Sequence, residues 1–236
     1  MSALLTVEGL NAWYGRAHIL RGVDLTVGRG EVVALMGRNG AGKSTTMKAV
    51  MGLLPERRGR VAFAGTDVSA WPPHRIARLG LGYVPEDRRV FAELTVRENL
   101  EVGRQPPRAG APLWTPERLY ALFPNLAEMK DRRGARMSGG EQQMLTLART
   151  LMGNPSLLLL DEPSEGLAPR IVQQMADAVR TLKAEGLSVL LSEQNLSFAG
   201  AVADRAVVIE KGAIRWEGAM AALLEDDEAR RAYLAV

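Results

Sequence analysis

Gly37-Arg-Asn-Gly-Ala-Gly-Lys43-Ser44 is the stretch from which the fold can be read. It meets G-x-x-x-x-G-K-[ST] at every fixed position and sits in the context that pattern needs. Glu31-Val-Val-Ala-Leu-Met36, just before it, has the length and apolar continuity of a buried strand. The segment 43–54, just after it, reads as a helix. A triphosphate is a dense anion and needs many donors in a small space. Glycines let backbone N–H groups converge, and a helix N-terminus adds a favourable dipole. The candidate nucleotide site is therefore Gly37, Arg38, Asn39, Gly40, Ala41, Gly42, Lys43, Ser44 and Thr45. In such a loop the lysine, Lys43, reaches the β- and γ-phosphates and the hydroxyl of Ser44 goes to Mg²⁺. The pattern fixes neither the nucleotide nor the reaction.

Two more stretches carry chemistry. Leu157-Leu-Leu-Leu160-Asp161-Glu162-Pro163 is an apolar strand ending in two carboxylates. Asp161 at the strand tip can hold Mg²⁺ through water. Glu162, one residue on, can polarise a water for in-line attack on a γ-phosphate. Adjacent carboxylates repel unless a cation shares their site. Met137-Ser138-Gly139-Gly140-Glu141 opens a helix, with Ser138 and Glu141 spaced as a capping box. A cap alone does not need two glycines in the first turn, where they weaken the helix. They make sense where backbone must approach an anion. Two anion-binding helix starts in one chain are most economically used in a dimer, each nucleotide lying between one phosphate loop and the partner's second helix start.

The rest of the chain sets the frame. It has 236 residues, 47% hydrophobic and 24% charged, with a formal net charge of +3. This is ordinary globular composition and excludes a disordered chain. There is no cysteine, so disulfides and thiolate metal sites are excluded, and His18 and His74 are too few for a histidine-rich centre. The longest uncharged run, 150–160, is too short to span a bilayer. Met1–Glu8 lacks the pattern of a secretion signal. Short apolar runs alternate with helical segments: strands at 156–160 and 187–191, a helix near 169–182, and a hairpin of 206–209 with 213–216 turned at Lys211-Gly212. That alternation predicts an α/β layer with a parallel sheet. The first thirty residues and 60–64 read as antiparallel strands. Between about 90 and 150 helix signals dominate, with a capping box at Thr95 and Glu98 and a proline-rich connection over 103–116. This region reads as a helical subdomain inserted in a single domain spanning 1–236. A short charged helix is expected over 226–234. The arginine pairs 57–58 and 132–133 read as solvated faces.

The order phosphate loop, Ser138-Gly-Gly-Glu-Gln142, Leu157–Pro163 resembles the Walker A, signature and Walker B motifs of ABC-type ATPases over essentially the whole chain. The resemblance implies a P-loop NTPase core, an antiparallel β subdomain and a helical subdomain, with ATP and Mg²⁺ as ligands. It places Tyr14 on the adenine ring and Ser164-Glu-Gly-Leu-Ala168 as the D-loop that crosses to a partner. It puts Ser138, Gly139, Gly140 and Glu141 on the partner's ATP. Two positions depart from the usual pattern. Glu86 stands where the Q-loop carries glutamine, and a carboxylate can still bind Mg²⁺. Gln194 stands where the switch histidine is usual; its amide can donate to a γ-phosphate but cannot accept a proton at neutral pH. That leaves Glu162 as the better candidate base.

Val84-Pro-Glu-Asp-Arg-Arg-Val-Phe91, Leu94–Leu100, Leu122-Phe-Pro-Asn-Leu126 and Glu193-Gln-Asn195 narrow the resemblance to ATPase subunits of branched-chain amino-acid importers. Both departures are similar to that subgroup. The resemblance implies a second ATPase subunit, two transmembrane permease subunits and an external solute-binding protein, with this chain on the cytoplasmic side of the inner membrane and no nucleic-acid partner. Cargo of this class includes branched-chain amino acids, amides, urea and aromatic acids. The alternative is a nucleotide-binding subunit whose site is weakened at Glu86 and Gln194 and whose partner does most of the hydrolysis.

Overall fold

Each residue of Val32–Met36 is buried, as a strand covered on both faces requires. The computed structural model describes residues 3–234. Met1, Ser2, Ala235 and Val236, which the sequence reading includes in the domain, lie outside them. The chain opens with a hairpin of β1 (Ala3–Tyr14) and β2 (Ala17–Gly28), then β3 (Val32–Met36) and α1 (Lys43–Val50). Next come β4 (Arg57–Phe63), β5 (Thr66–Asp67), α2 (Pro73–Leu79) and β6 (Leu81–Val84). Helices follow: α3 (Val96–Gly103), α4 (Pro116–Leu122), α5 (Pro124–Glu128) and α6 (Gly139–Leu151). The last part alternates again, with β7 (Leu157–Asp161), α7 (Pro169–Ala184), β8 (Ser188–Glu193), α8 (Leu196–Val202), β9 (Arg205–Glu210) and β10 (Ala213–Ala219). It ends on α9 (Met220–Glu225) and α10 (Asp227–Ala229).

Two sheets result. One is antiparallel, in the order β2-β1-β4-β5; the other runs β10-β9-β3-β8-β7-β6. In the second sheet β9, β3, β8, β7 and β6 are mutually parallel, and only β10 is antiparallel to its neighbour. Its two faces are covered by different partners. Val33, Leu35, Leu157, Leu159 and Leu190 pack with the antiparallel sheet and α1. Val32, Ala34, Leu158, Leu160 and Leu191 pack with α3, α6, α7 and α8. Alternation along each strand thus assigns successive side chains to two cores.

The α/β class and the antiparallel N-terminal strands agree with the sequence reading. Boundaries differ in ways that have local causes. The helix expected over 43–54 stops at Val50, because Gly52 turns at φ 76° and two residues later Leu54 leaves toward β4. The strand expected over 187–191 runs on to Glu193, since Met36 on β3 still pairs with it. Asp226–Leu234 is not one charged helix: α10 gives way to a π-helical turn over Arg230–Leu234. Helices α2 and α8 were not anticipated, although Pro73 at a helix start and Asn195, whose side chain accepts from Phe198 N, are recognisable start signals. Arg57 is no solvated cation either: it donates to the carbonyls of Leu54, Ser69 and Trp71 and ties the loop before α2 to β4.

Candidate functional site

The parallel pairing delivers the predicted residues to one sheet edge. Met36 lies opposite Glu193, Asp161 opposite Ser192, and Val84 opposite Leu160. The chain therefore leaves the carboxyl ends of neighbouring strands at Gly37, at Glu162, at Gln194 and, two residues past Val84, at Glu86. Ligands of open α/β sheets bind at this edge.

The phosphate loop is shaped by close packing. Gly42 caps α1 at φ 116°, and a Cβ there would come within 2.9 Å of Leu20 Cδ2. Only glycine fits both demands. Arg38, Asn39 and Gly40 are exposed at the tip, whereas Lys43 is 3% exposed inside it. Its ammonium donates to the carbonyls of Gly37 at 2.8 Å and Arg38 at 3.3 Å. It also forms an ion pair with Glu162 Oε1 at 3.0 Å. Loop lysine and candidate base are thus in direct contact.

Asp161 is held by three hydroxyls. Ser44 and Ser192 donate to its Oδ1 at 2.9 and 2.7 Å, and Tyr83 donates to Oδ2 at 3.0 Å. Burial, then the Asp161 charge, push the Tyr83 ionisation up, so its hydroxyl keeps its proton. A carboxylate beside a serine hydroxyl is a hard oxygen set of the kind Mg²⁺ accepts, the other positions being left to phosphate and water. Glu162 adopts φ 46°, and its N–H donates to the backbone carbonyl and the hydroxyl of Ser192, both at 3.1 Å. A left-handed glutamate costs on the order of 1 kcal/mol or more. The turn directs the carboxylate back to Lys43. Burial pushes the Glu162 carboxyl up, but hydrogen bonding with Glu165 and the Lys43 ammonium outweigh it and hold it below its ordinary range. Glu165 pays the opposite way: its bond to Glu162, with burial and repulsion, raises its carboxyl to about 7.

The remaining predicted residues lie around this centre. Gln194 is exposed directly after β8. Glu86 is exposed after β6, near enough for its charge to act on Glu165. Tyr14 is 48% exposed at the tip of the β1–β2 hairpin, whose second strand carries Leu20 against the phosphate loop. Ser138 is exposed and caps α6 as expected: its N–H donates to Glu141 Oε2 at 2.7 Å, and its hydroxyl accepts from Glu141 N. The amides of Gly139 and Gly140 meet no acceptor among the described residues. Sequence reasoning missed Tyr83 and Ser192, and it placed Glu165 in the D-loop segment without its contact to Glu162. Ser192 had a signal, a lone hydroxyl late in an apolar strand. Tyr83 had none, since nothing in the sequence pairs β6 with β7.

The ABC transporter family profile matches residues 20–165. The branched-chain amino acid transport ATP-binding protein BraG of Pseudomonas aeruginosa is 42% identical over 231 residues, covering 98% of this chain and 99% of its own. The lipopolysaccharide export ATP-binding protein LptB of Haemophilus influenzae is 34% identical over 234 residues, covering 98% and 97%. Among solved structures, the ADP conformation of MJ1267, an ATP-binding cassette of an ABC transporter, superposes with a TM-score of 0.80 at 28% identity over 97% of each chain. The match to the whole chain and the ATPase-type edge of the sheet lead to one statement: the chain belongs to the ABC transporter family, as one of its ATP-binding subunits.

Proposed function

We propose that this ATPase subunit powers an importer for branched-chain amino acids or related small solutes (amides, urea, aromatic acids). The observation that carries the chemistry is the convergence of Lys43, Ser44, Asp161 and Glu162 on one sheet edge. Greater identity to the amino-acid transport protein than to the lipopolysaccharide exporter favours the cargo class. The region 90–150 serves as an inserted helical subdomain carrying the signature. Gly37–Thr45 cradle the phosphates, Tyr14 stacks on adenine, and Ser138–Glu141 meet ATP held by a facing protomer.

In this reading Glu162 accepts the proton of the attacking water. The water oxygen bonds to the γ-phosphorus, the bond to the β–γ bridging oxygen breaks, and ADP and phosphate leave. Lys43 must first leave Glu162 for the phosphates, which frees the carboxylate as a base. Gln194 donates to the γ-phosphate. Ser44 and Asp161, joined by Glu86, would hold Mg²⁺, whose charge would neutralise the phosphate oxygens.

The partners in this reading are a second ATPase subunit, two transmembrane permease subunits and an external solute-binding protein, with this chain peripheral on the cytoplasmic face of the inner membrane. No described helix is long and apolar enough to cross a membrane. A groove of about 550 Å³ lies beside Glu86–Arg97, and exposed Leu53, Phe91 and Val102 line it. That groove is the proposed seat of the permease. The test is reconstitution with the permease subunits and the solute-binding protein in vesicles. Leucine or a related solute should stimulate ATP hydrolysis and accumulate. Stimulation by lipopolysaccharide alone would overturn the importer reading.

A further inference from the structure

Arg88 follows β6 in Pro85-Glu-Asp-Arg-Arg89 and adopts φ 62°, which is uncommon for a residue with a side chain. The turn is held from both sides. Arg88 N donates to Pro85 O at 3.3 Å, and the Thr146 hydroxyl on α6 donates to the Arg88 carbonyl. The turn lays the guanidinium over the first turn of α6. A Cβ at Gly139 would collide with Arg88 Nη1, and one at Gly166 would lie 3.8 Å from Nη2. The guanidinium therefore rests between the signature glycine and the D-loop glycine.

This is an unfavourable place for a lone cation. The N-terminal end of a helix repels positive charge. Neighbouring Arg89 is paired with Asp87 at 2.8 Å, but Arg88 has no carboxylate within ion-pair distance among the described residues, and its guanidinium meets no acceptor there. The Gly139 and Gly140 amides beside it are also without acceptors. A fork of N–H donors, two free amides and the Ser138 hydroxyl share one small surface. Their common complement is a tetrahedral oxyanion carrying more than one negative charge.

We infer that Arg88 binds the terminal phosphate of the ATP held by the facing protomer, acting in trans beside Ser138–Gly140. This rests on the proposal that the signature faces a partner's ATP. It adds a residue to that half-site and gives a reason for glycine at 139, where any side chain would displace the guanidinium.

The test uses the full chain with Glu162→Gln, which holds ATP without turning it over. Dimerisation is followed by light scattering against ATP concentration. Adding Arg88→Ala should raise the ATP needed for half-dimerisation about tenfold or more, while a fluorescent ATP analogue binds the protomer as before. Arg88→Gln, which keeps reach and a donor but not charge, should shift it similarly, so a packing defect in the alanine variant cannot mimic the result. In a second arm, with Glu162 left native, Arg88→Ala chains are mixed with Lys43→Ala chains. If Arg88 acts in trans, both defects fall in one site of the mixed dimer, the other site is intact, and turnover recovers above either variant alone. Unchanged dimerisation would overturn the inference. So would no recovery in this mixture when Ser138→Ala and Lys43→Ala chains do complement each other. If Glu162→Gln forms no ATP-dependent dimer either alone or with the second ATPase subunit, the facing-protomer reading fails and takes this inference with it.

Discussion

Lys43 and Glu162 form a buried ion pair, 3.0 Å apart, with side chains 3% and 6% exposed. The lysine of the phosphate loop thus neutralises the carboxylate that the proposed mechanism uses as base. The pair neutralises two charges that could not be buried separately. It also sets an order of events, because the ammonium must move to phosphate before the carboxylate can accept a proton.

Removing one member should therefore cost more than removing both. Lys43→Ala is expected to lower unfolding stability at pH 7.5 by about 2 kcal/mol or more, since it strands Glu162 in a buried site. Lys43→Ala with Glu162→Gln should recover most of that loss. Urea denaturation of the two single variants and the double variant measures the coupling. Additive losses would mean that the pair contributes nothing.

Tyr83→Phe removes one of three hydroxyls that aim Asp161. The expected result is a loss of about 1 kcal/mol in stability. The Mg²⁺ concentration for half-maximal hydrolysis should rise several-fold, while ATP binding without Mg²⁺ stays unchanged. A Mg²⁺ titration of turnover checks this. An unchanged titration would show that the hydroxyl does not position the carboxylate.

The phosphate loop, the acidic strand end and both capping boxes were legible in sequence because each is a local pattern with a fixed spacing. The parallel sheet was legible too, since Val32–Met36, Leu157–Leu160 and Val189–Leu191 are continuous apolar runs. What stayed hidden depends on pairing between distant strands. Tyr83 reaches Asp161 only because β6 lies beside β7, 78 positions apart in these two residues. The Lys43–Glu162 pair needs the left-handed turn at Glu162, which no propensity foretells. The turn after Val50 was misjudged for the opposite reason: Met51, Leu53 and Leu54 continue the apolar pattern although Gly52 ends the helix.

Stability should carry the mark of Glu165. Its folded value of about 7 lies above the ordinary 4.5, so the folded chain holds a proton that the unfolded chain has already released. The stabilisation is complete below about 4.5 and is lost as pH rises to about 7. Glu165→Gln removes this pH dependence. Thermal melts from pH 5 to 8 should show the wild type losing stability relative to the variant as pH rises. Parallel curves would place the Glu165 carboxyl at its ordinary value.

Gln194 is exposed and meets no hydrogen-bond partner among the described residues, so its role is separable from folding. Gln194→Ala should change stability by less than about 0.5 kcal/mol. Turnover should fall about tenfold or more if its amide donates to the γ-phosphate. Steady-state hydrolysis and a melt on the same preparation decide it. Full activity in the alanine variant would exclude Gln194 from the site.

Phosphate release by Glu162→Gln, assembled with its transport partners and measured beside ATP binding, tests the mechanism most directly. Loss of the base should cut turnover by about 100-fold or more while ATP still binds. Phosphate release at the wild-type rate would contradict Glu162 as the proton acceptor and, with it, the reading of the Lys43–Glu162 pair as a latch on the reaction.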